Sequence, residues 1–149
     1  MHIVPIEFSK EVEALLTTEE LPSFDLMNSD NVKLFGFELD DNLAGLIGIE
    51  LYENVGLLRS LVVRSDLRNA GNGKALVAKA ESWALNNDIS HLYLLTTTAV
   101  DFFTKLNYEL TQRDKAPLSI ASTSQFSSLC PSSAIFMHKD LIAEELINK

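Results

Sequence analysis

The chain has one cysteine, Cys130, among its 149 residues. A single thiol excludes an internal disulfide and any multi-thiolate metal site, and it points to a reducing cytoplasm. Cys130 precedes proline between apolar neighbours, so it is expected as a small buried hydrophobe. Basic residues are also scarce: 12 Lys and Arg stand against 21 Asp and Glu, a net charge of −9. Neutralising phosphates requires a basic face, so nucleic-acid and anionic-membrane surfaces are excluded as expected partners. No apolar run approaches the roughly 20 residues that span a bilayer. The opening Met-His-Ile-Val-Pro-Ile-Glu lacks the basic and apolar regions of a signal peptide. The three histidines, His2, His91 and His138, fit no metal-ligand spacing, so no metal is expected. Low-complexity segments, internal repeats and linker-like boundaries are absent too. With 46% hydrophobic residues, 1–149 reads as a single domain with a sizeable core.

What the chain does have is concentrated in Leu57–Ala80, LLRSLVVRSDLRNAGNGKALVAKA. Leu57, Leu58, Leu61, Val62 and Val63 form a short apolar run, as expected of a buried strand. A polar loop from Arg64 follows, with Gly71 and Gly73 close together. From Gly73 the period changes, and Leu76, Val77, Ala80 and Ala84 fall on one face of a helix. Strand, glycine-bearing turn and helix N-terminus make a natural anion cradle. First-turn N–H groups point at the ligand, the helix dipole favours negative charge, and glycine lets phosphate oxygens approach the backbone. Arg68 and Lys74 add positive charge at its edges. Spacing rejects two familiar phosphate loops. A Walker loop ending at Gly73-Lys74 would need glycine at Arg68 and a hydroxyl at Ala75, and a dinucleotide fingerprint from Gly71 would need a small residue at Leu76.

In chain order, His2–Ile6 reads as an edge strand that tolerates Pro5. Ser9 is placed to cap a helix from Lys10 with Val12, Leu15 and Leu16 on its apolar face. Leu34–Leu39 and Leu43–Leu51 read as strands joined by the hairpin signal Asp40-Asp41-Asn42, and Tyr52–Gly56 as the next turn. The helix from Gly73 runs to about Leu85 and stops at Asn86-Asn87-Asp88. Ser90–Thr96 is a strand that must lie parallel to the Leu57 strand, because a helical crossover joins them. Thr96–Thr98 caps a short helix over Ala99–Leu106, and Glu109–Arg113 and Ala134–Lys139 close the chain as strands. A helical turn is expected at Ile120–Phe126.

Arg68-x-x-Gly71-x-Gly73 between such a strand and an amphipathic helix resembles the pyrophosphate loop of the GCN5-related N-acetyltransferase (GNAT) superfamily. Phe102-Phe103-Thr104-Lys105-Leu106-Asn107-Tyr108 resembles the family's next landmark, an aromatic helix ending in Lys-Leu-Gly and an aromatic. Asn107 replaces the usual glycine, and asparagine is the next best residue at a left-handed helix terminus. In the tail, Ala116-Pro117…Ile120…Thr123…Phe126…Leu129-Cys130-Pro131…Ser133-Ala134…Met137 resembles the arsenic-resistance N-acetyltransferases, one GNAT subgroup. Together these motifs cover roughly residues 31–141.

The resemblance implies an α/β fold. It would have a mixed, mostly antiparallel sheet of about six or seven strands, helices on both faces and a splayed central strand pair. It further implies acetyl-CoA as acyl donor and a small amine as acceptor, in a monomer or homodimer. The pyrophosphate would rest on Arg68, Asn69, Ala70, Gly71, Asn72, Gly73 and Lys74. Backbone groups of Leu61, Val62 and Val63 would pair with the pantetheine arm, and Phe102 and Phe103 would lie against it. Arg59 interrupts an apolar strand, which is expensive unless it has a partner or faces a cleft, and it is a candidate for the acceptor site. Many relatives carry a glutamate on this strand and a tyrosine on the aromatic helix as base and acid. Here Leu57–Val63 has no carboxylate and the tyrosine position is Phe103. Either Tyr52 and Glu53 stand in from the turn as the catalytic side chains, or no side chain does this work and positioning with solvent suffices. The alternative is a non-catalytic acyl-CoA-binding module of the same fold.

Overall fold

The computed structural model describes residues 2–18, 31–68, 71–121 and 134–142. The strands are β1 (Val4–Ile6), β2 (Val32–Leu39), β3 (Asn42–Tyr52), β4 (Val55–Val63), β5 (His91–Thr96), β6 (Glu109–Leu110) and β7 (Ile135–Asp140). The helices are α1 (Lys10–Thr18), α2 (Asn72–Asn86), α3 (Val100–Lys105) and α4 (Leu118–Ala121). The seven strands follow the order β1-β2-β3-β4-β5-β7-β6. Strands β4 and β5 pair in parallel, and the β1–β2, β2–β3, β5–β7 and β6–β7 pairs are antiparallel. The fold is therefore mixed α/β with a mostly antiparallel sheet. The chain divides into two compact units, Met1–Glu50 with Arg59–Trp83, and Leu51–Leu58 with Ala84–Lys149.

In the first unit, Ser9 Oγ accepts the Val12 N–H at 3.2 Å, which caps α1 as its sequence predicts. Glu11 and Glu13 place negative charge in the first turn. Glu11 also reaches across to accept the Leu43 N–H at 2.7 Å, tying α1 to the start of β3. Val12 and Leu16 bury their side chains with Leu34, Leu43, Leu46 and Val62. The β2–β3 turn is tighter than a three-residue reading suggests. Asp40 and Asp41 stand at φ 54° and 66°, so the two residues form the left-handed connection whose twist suits a hairpin. Phe37 is paired with Gly45, and its ring covers the space a side chain there would occupy. That close approach is why the β3 position is glycine.

In the second unit, β4 pairs with β5 from Val55↔His91 to Leu58↔Leu94. This is the parallel relation that a helical crossover demands. The β3–β4 turn is shorter than the Tyr52–Gly56 stretch, because β3 runs through Tyr52 and β4 begins at Val55. Thr96 Oγ1 accepts the Ala99 N–H at 3.0 Å just before α3, and Asn107, just past the Leu106 that ends α3, stands at φ 75°, as expected for asparagine in place of glycine. Lys139, 8% exposed, donates to the Leu106 carbonyl at 3.0 Å and lies 5.4 Å from the Tyr108 ring centroid. Its charge thus sits at the negative end of α3. The strand expected at Glu109–Arg113 is only Glu109–Leu110, because Arg113–Lys115 turns as a 3-10 segment and Arg113 Nη2 donates to the Ala134 carbonyl at 2.8 Å. The turn of helix expected from Ile120 starts two residues earlier, and α4 is described over Leu118–Ala121. Residues 122–126 of that expectation, and Cys130, lie outside the described residues.

Candidate active site

The phosphate-loop residues lie where strand hands over to helix. Arg64 N–H donates to the Ala44 carbonyl at 2.8 Å, fixing the end of β4. Arg68 Nε donates to the Val63 carbonyl at 3.2 Å, and Asn72 Nδ2 to the Leu67 carbonyl at 2.9 Å, so both ends of the loop are pinned to its own backbone. Arg64 and Asp66 pair at 2.7 Å on the exposed side, and that guanidinium holds the Asp66 carboxyl below the usual carboxylate range. The first helical bond of α2 runs from Ala75 N–H to the Gly71 carbonyl at 3.0 Å. The amides of Asn72, Gly73 and Lys74 are thus first-turn groups with no intrahelical acceptor. Gly71 stands at φ 84°, and among the described residues no heavy atom lies within 4 Å of where its Cβ would be. The chain therefore leaves open space against left-handed backbone and helix-terminal donors, the arrangement a pyrophosphate needs. Asn69 and Ala70 lie outside the described residues.

Upstream of the loop, β4 is not a regular strand. Ser60, in its middle, has φ 58°. A left-handed residue inside a strand breaks the pleat and changes which face the following residues present. Leu61 is half-buried, and Val62 and Val63 are buried. No pattern of residue types announces this feature, because serine is not a typical left-handed residue. Beside it, Arg59 Nη1 lies 2.7 Å from Glu50 Oε1 with its side chain shielded from solvent, and Arg59 Nε donates to Ser60 Oγ at 3.1 Å. The partner that an arginine in an apolar strand requires is thus Glu50 on β3. Gly48 leaves room for the arginine stem, since a Cβ there would stand 3.3 Å from Arg59 Cγ.

In the second unit, Phe103 is buried and packs edge-on against Tyr108 at 5.5 Å, while Phe102 is half-buried. Tyr52 packs against the cluster of Val55, Leu57, Ile120 and Phe136. Glu53 is exposed, at φ 51°. Sequence patterning gave no sign that His91 and His138 meet, yet His91 Nδ1 lies 3.0 Å from His138 Nε2. Among the described residues no group of three or more His, Cys, Asp or Glu is placed to hold a metal ion, and no helix is long and apolar enough to cross a membrane. A cavity of about 350 Å³ lined by His2, Glu7, Glu11, Phe37 and neighbours shares no residue with β4 or the loop. The loop is recognised by its backbone geometry and not by hollow volume.

Residues 4–108 match the model of the acetyltransferase (GNAT) family. The chain belongs to that family. Acetyl transfer is the activity that the family's name carries. No curated protein matches the sequence. Among solved structures, the N-acetylglutamate synthase of Neisseria gonorrhoeae, complexed with coenzyme A and N-acetyl-glutamate, superposes with TM-score 0.75 at 17% identity. That alignment covers 95% of this chain and 35% of the synthase, so this chain spans about a third of that protein. A GNAT-family acetyltransferase of Staphylococcus aureus gives TM-score 0.69 at 20% identity, covering 94% of this chain and 99% of the other. An aminoglycoside 6'-N-acetyltransferase complexed with coenzyme A gives 0.70 at 19% identity, covering 95% and 97%. At these identities the structural likeness speaks for the fold, and the GNAT family model carries the assignment.

Proposed function

We propose that residues 1–149 act as one acetyltransferase domain that transfers an acetyl group from acetyl-CoA to the amine of a small molecule in the cytoplasm. The observation that carries this reading is Gly71, left-handed and facing open space at the start of α2, three residues after Arg68. In the proposed complex, the first-turn amides of α2 with Arg68 and Lys74 hold the pyrophosphate, and Leu61–Val63 offer backbone groups to the pantetheine arm. Phe102, which keeps exposed surface, is the ring that meets that arm, with Phe103 packed behind it. Bound acetyl-CoA supplies an activated thioester. A backbone N–H near Leu61 polarises its carbonyl. Arg59 is a positioning residue, oriented by Glu50, and Tyr52, at the end of β3, and Glu53, in the turn after it, assist. The tail's resemblance supports an organoarsenical or toxic amino-acid-like amine as acceptor, and resistance to such compounds as the setting.

Thermal shift tests the donor: coenzyme A and acetyl-CoA raise the melting temperature, and NAD and ATP do so much less. A shift with ATP alone overturns the assignment. Thiol release from acetyl-CoA across an amine panel tests the acceptor, and turnover confined to protein or peptide lysines counts against a small molecule. Donor binding without turnover of any amine favours the non-catalytic acyl-CoA-binding module, a reading supported by the lack of a carboxylate on Leu57–Val63 and by Phe103 at the position matched to the usual acid.

A further inference from the structure

Helix α3, in the second unit, is too short to hold itself in place. It runs six residues, Val100–Lys105, and Phe103 is the residue it buries. An isolated helix of this length is marginal in water, so its position is set by what it is tied to. On one side of Phe103 stands Tyr108, 1% exposed and edge-on at 5.5 Å, and on the other stands Phe102, edge-on at 5.0 Å. Such pairs set the edge of one ring against the face of the next, which fixes their mutual angle. Phe102 is thus the half-buried end of a row of three rings whose other end is buried.

Lys139, in the same unit, closes that row. It belongs to β7, which pairs with β5 from His91↔Asp140 to Thr96↔Ile135 and with β6 on its other side, so the strand is hydrogen-bonded along both edges. From this rigid base the ammonium reaches the Leu106 carbonyl at 3.0 Å and lies 5.4 Å from the Tyr108 ring centroid. Leu106 is where α3 ends, and its N–H turns back to the Phe103 and Thr104 carbonyls. A buried ammonium is expensive unless acceptors hold it. An apolar side chain at this position would avoid that cost, but it could neither bind the carbonyl nor attract the ring face.

We infer that Lys139 is a positioning residue for the acyl donor: by holding the end of α3 and the face of Tyr108, it fixes the ring row and with it the Phe102 surface offered to the pantetheine arm. The inference rests on the donor reading proposed above, in which Phe102 meets that arm. Without the ammonium, the last turn of α3 loses a donor and Tyr108 loses its cation. Phe102 then samples more positions, and more freedom is given up when the arm binds. The pyrophosphate is assigned to the α2 loop, so a fault in α3 should be felt by the arm and not by the phosphates.

Calorimetric titration with two probes tests this: acetyl-CoA, and 3′-phosphoadenosine 5′-diphosphate, which keeps the phosphates of coenzyme A and lacks the arm. Lys139→Met should weaken acetyl-CoA about tenfold and leave the armless nucleotide within about twofold of the parent. Phe102→Ala should show the same selectivity, and adding Lys139→Met to it should weaken acetyl-CoA no further, because the lysine acts through that ring. If the methionine variant does not fold, Lys139→Gln, which keeps an N–H donor without the charge, carries the comparison with a selective loss of roughly threefold. Equal losses for both probes would show general loosening of the fold, and additive losses in the double variant would show an effect that bypasses Phe102. Either result, or parental affinity in the lysine variants, overturns the inference and leaves the donor reading intact. A parent that binds acetyl-CoA no tighter than the armless nucleotide removes Phe102 from that reading, and the role of Lys139 with it.

Discussion

Arg59 and Glu50 face each other across β4 and β3 at 2.7 Å, with side chains 0% and 6% exposed. Two opposite charges inside an apolar strand pair cost desolvation that their attraction only roughly offsets, so the pair is not a large net source of stability. What it does is fix position. The same guanidinium donates to Ser60 Oγ, so the ion pair is coupled to the left-handed residue that interrupts β4.

Removing one partner should therefore hurt more than removing both. Arg59→Met is expected to cost about 3–5 kcal/mol, because it leaves Glu50 buried without that partner, and Glu50→Gln somewhat less because the amide can still accept. Arg59→Met with Glu50→Leu should recover part of the loss. Urea unfolding of these variants together with Glu50→Leu alone checks this, and a double variant as unstable as the sum of Arg59→Met and Glu50→Leu would rule out the coupling.

Gly71 separates two causes of sensitivity. A Cβ there meets open space, so Gly71→Ala should cost only the left-handed backbone strain, about 1–2 kcal/mol, without a clash. Gly71→Asp adds a charge facing the phosphate cradle and should abolish acetyl-CoA binding. Calorimetric titration, with circular dichroism to confirm folding, checks the contrast. Parental affinity in the folded aspartate variant would place the cradle elsewhere.

Tyr52 and Glu53 should matter little for turnover. Tyr52 is packed into the cluster of Val55, Leu57, Ile120 and Phe136, and Glu53 is exposed. Tyr52→Phe and Glu53→Gln should each lower kcat by less than the roughly hundredfold of a dedicated acid or base. A larger fall at unchanged acetyl-CoA affinity would show that the turn carries the chemistry. Glu53→Gly should stabilise the fold, since Glu53 holds φ 51°.

His138 makes stability depend on pH with a definite sign. Its folded-state value lies below the reference 6.5. The unfolded chain therefore binds the proton more readily, so the contribution is complete above the reference value and is lost as pH falls through the folded-state one. Urea midpoints should drop between pH 7.5 and 5 by more in the parent than in His138→Gln, those pH values being chosen about one unit or more either side of the reference. Equal drops would remove His138 from the acid response.

The parts of this molecule that were legible in sequence are those decided by neighbours in the chain. Asp40-Asp41 and Asn107 act through their own backbone and Ser9 and Thr96 through hydroxyls that reach an amide three residues on, and the phosphate loop follows from glycine spacing between an apolar run and a helical period. The parts that were not legible depend on register. Glu50 is nine residues from Arg59 and His91 forty-seven from His138, and only strand pairing brings each couple together. Arg113 shortens β6 by binding the Ala134 carbonyl, a contact no local pattern encodes. The arginine in an apolar strand did signal that something must face it, without saying what.

Ser60 is the sharpest remaining test of how β4 serves the site. Its φ of 58° lets one residue absorb the break in the pleat, after which Leu61, Val62 and Val63 present their backbone in the orientation proposed for the pantetheine arm. Ser60→Gly keeps that conformation at no steric cost. It forfeits the hydroxyl that accepts from Arg59 Nε, worth about 1 kcal/mol for a single hydrogen bond. Acetyl-CoA affinity should then change by only a few-fold, on the order of that energy. Ser60→Val is different. A β-branched residue is a steric outlier at positive φ, so the strand is driven towards regular pleating, and a one-residue change of phase turns Leu61–Val63 to the opposite face. The valine variant should lose acetyl-CoA binding by more than tenfold, beyond its loss of stability, while the glycine variant retains it. Calorimetric titration of both at matched folded fraction makes the comparison. If valine binds as tightly as glycine, the left-handed residue is a structural accommodation of the Arg59–Glu50 pair and not what aims the backbone at the donor.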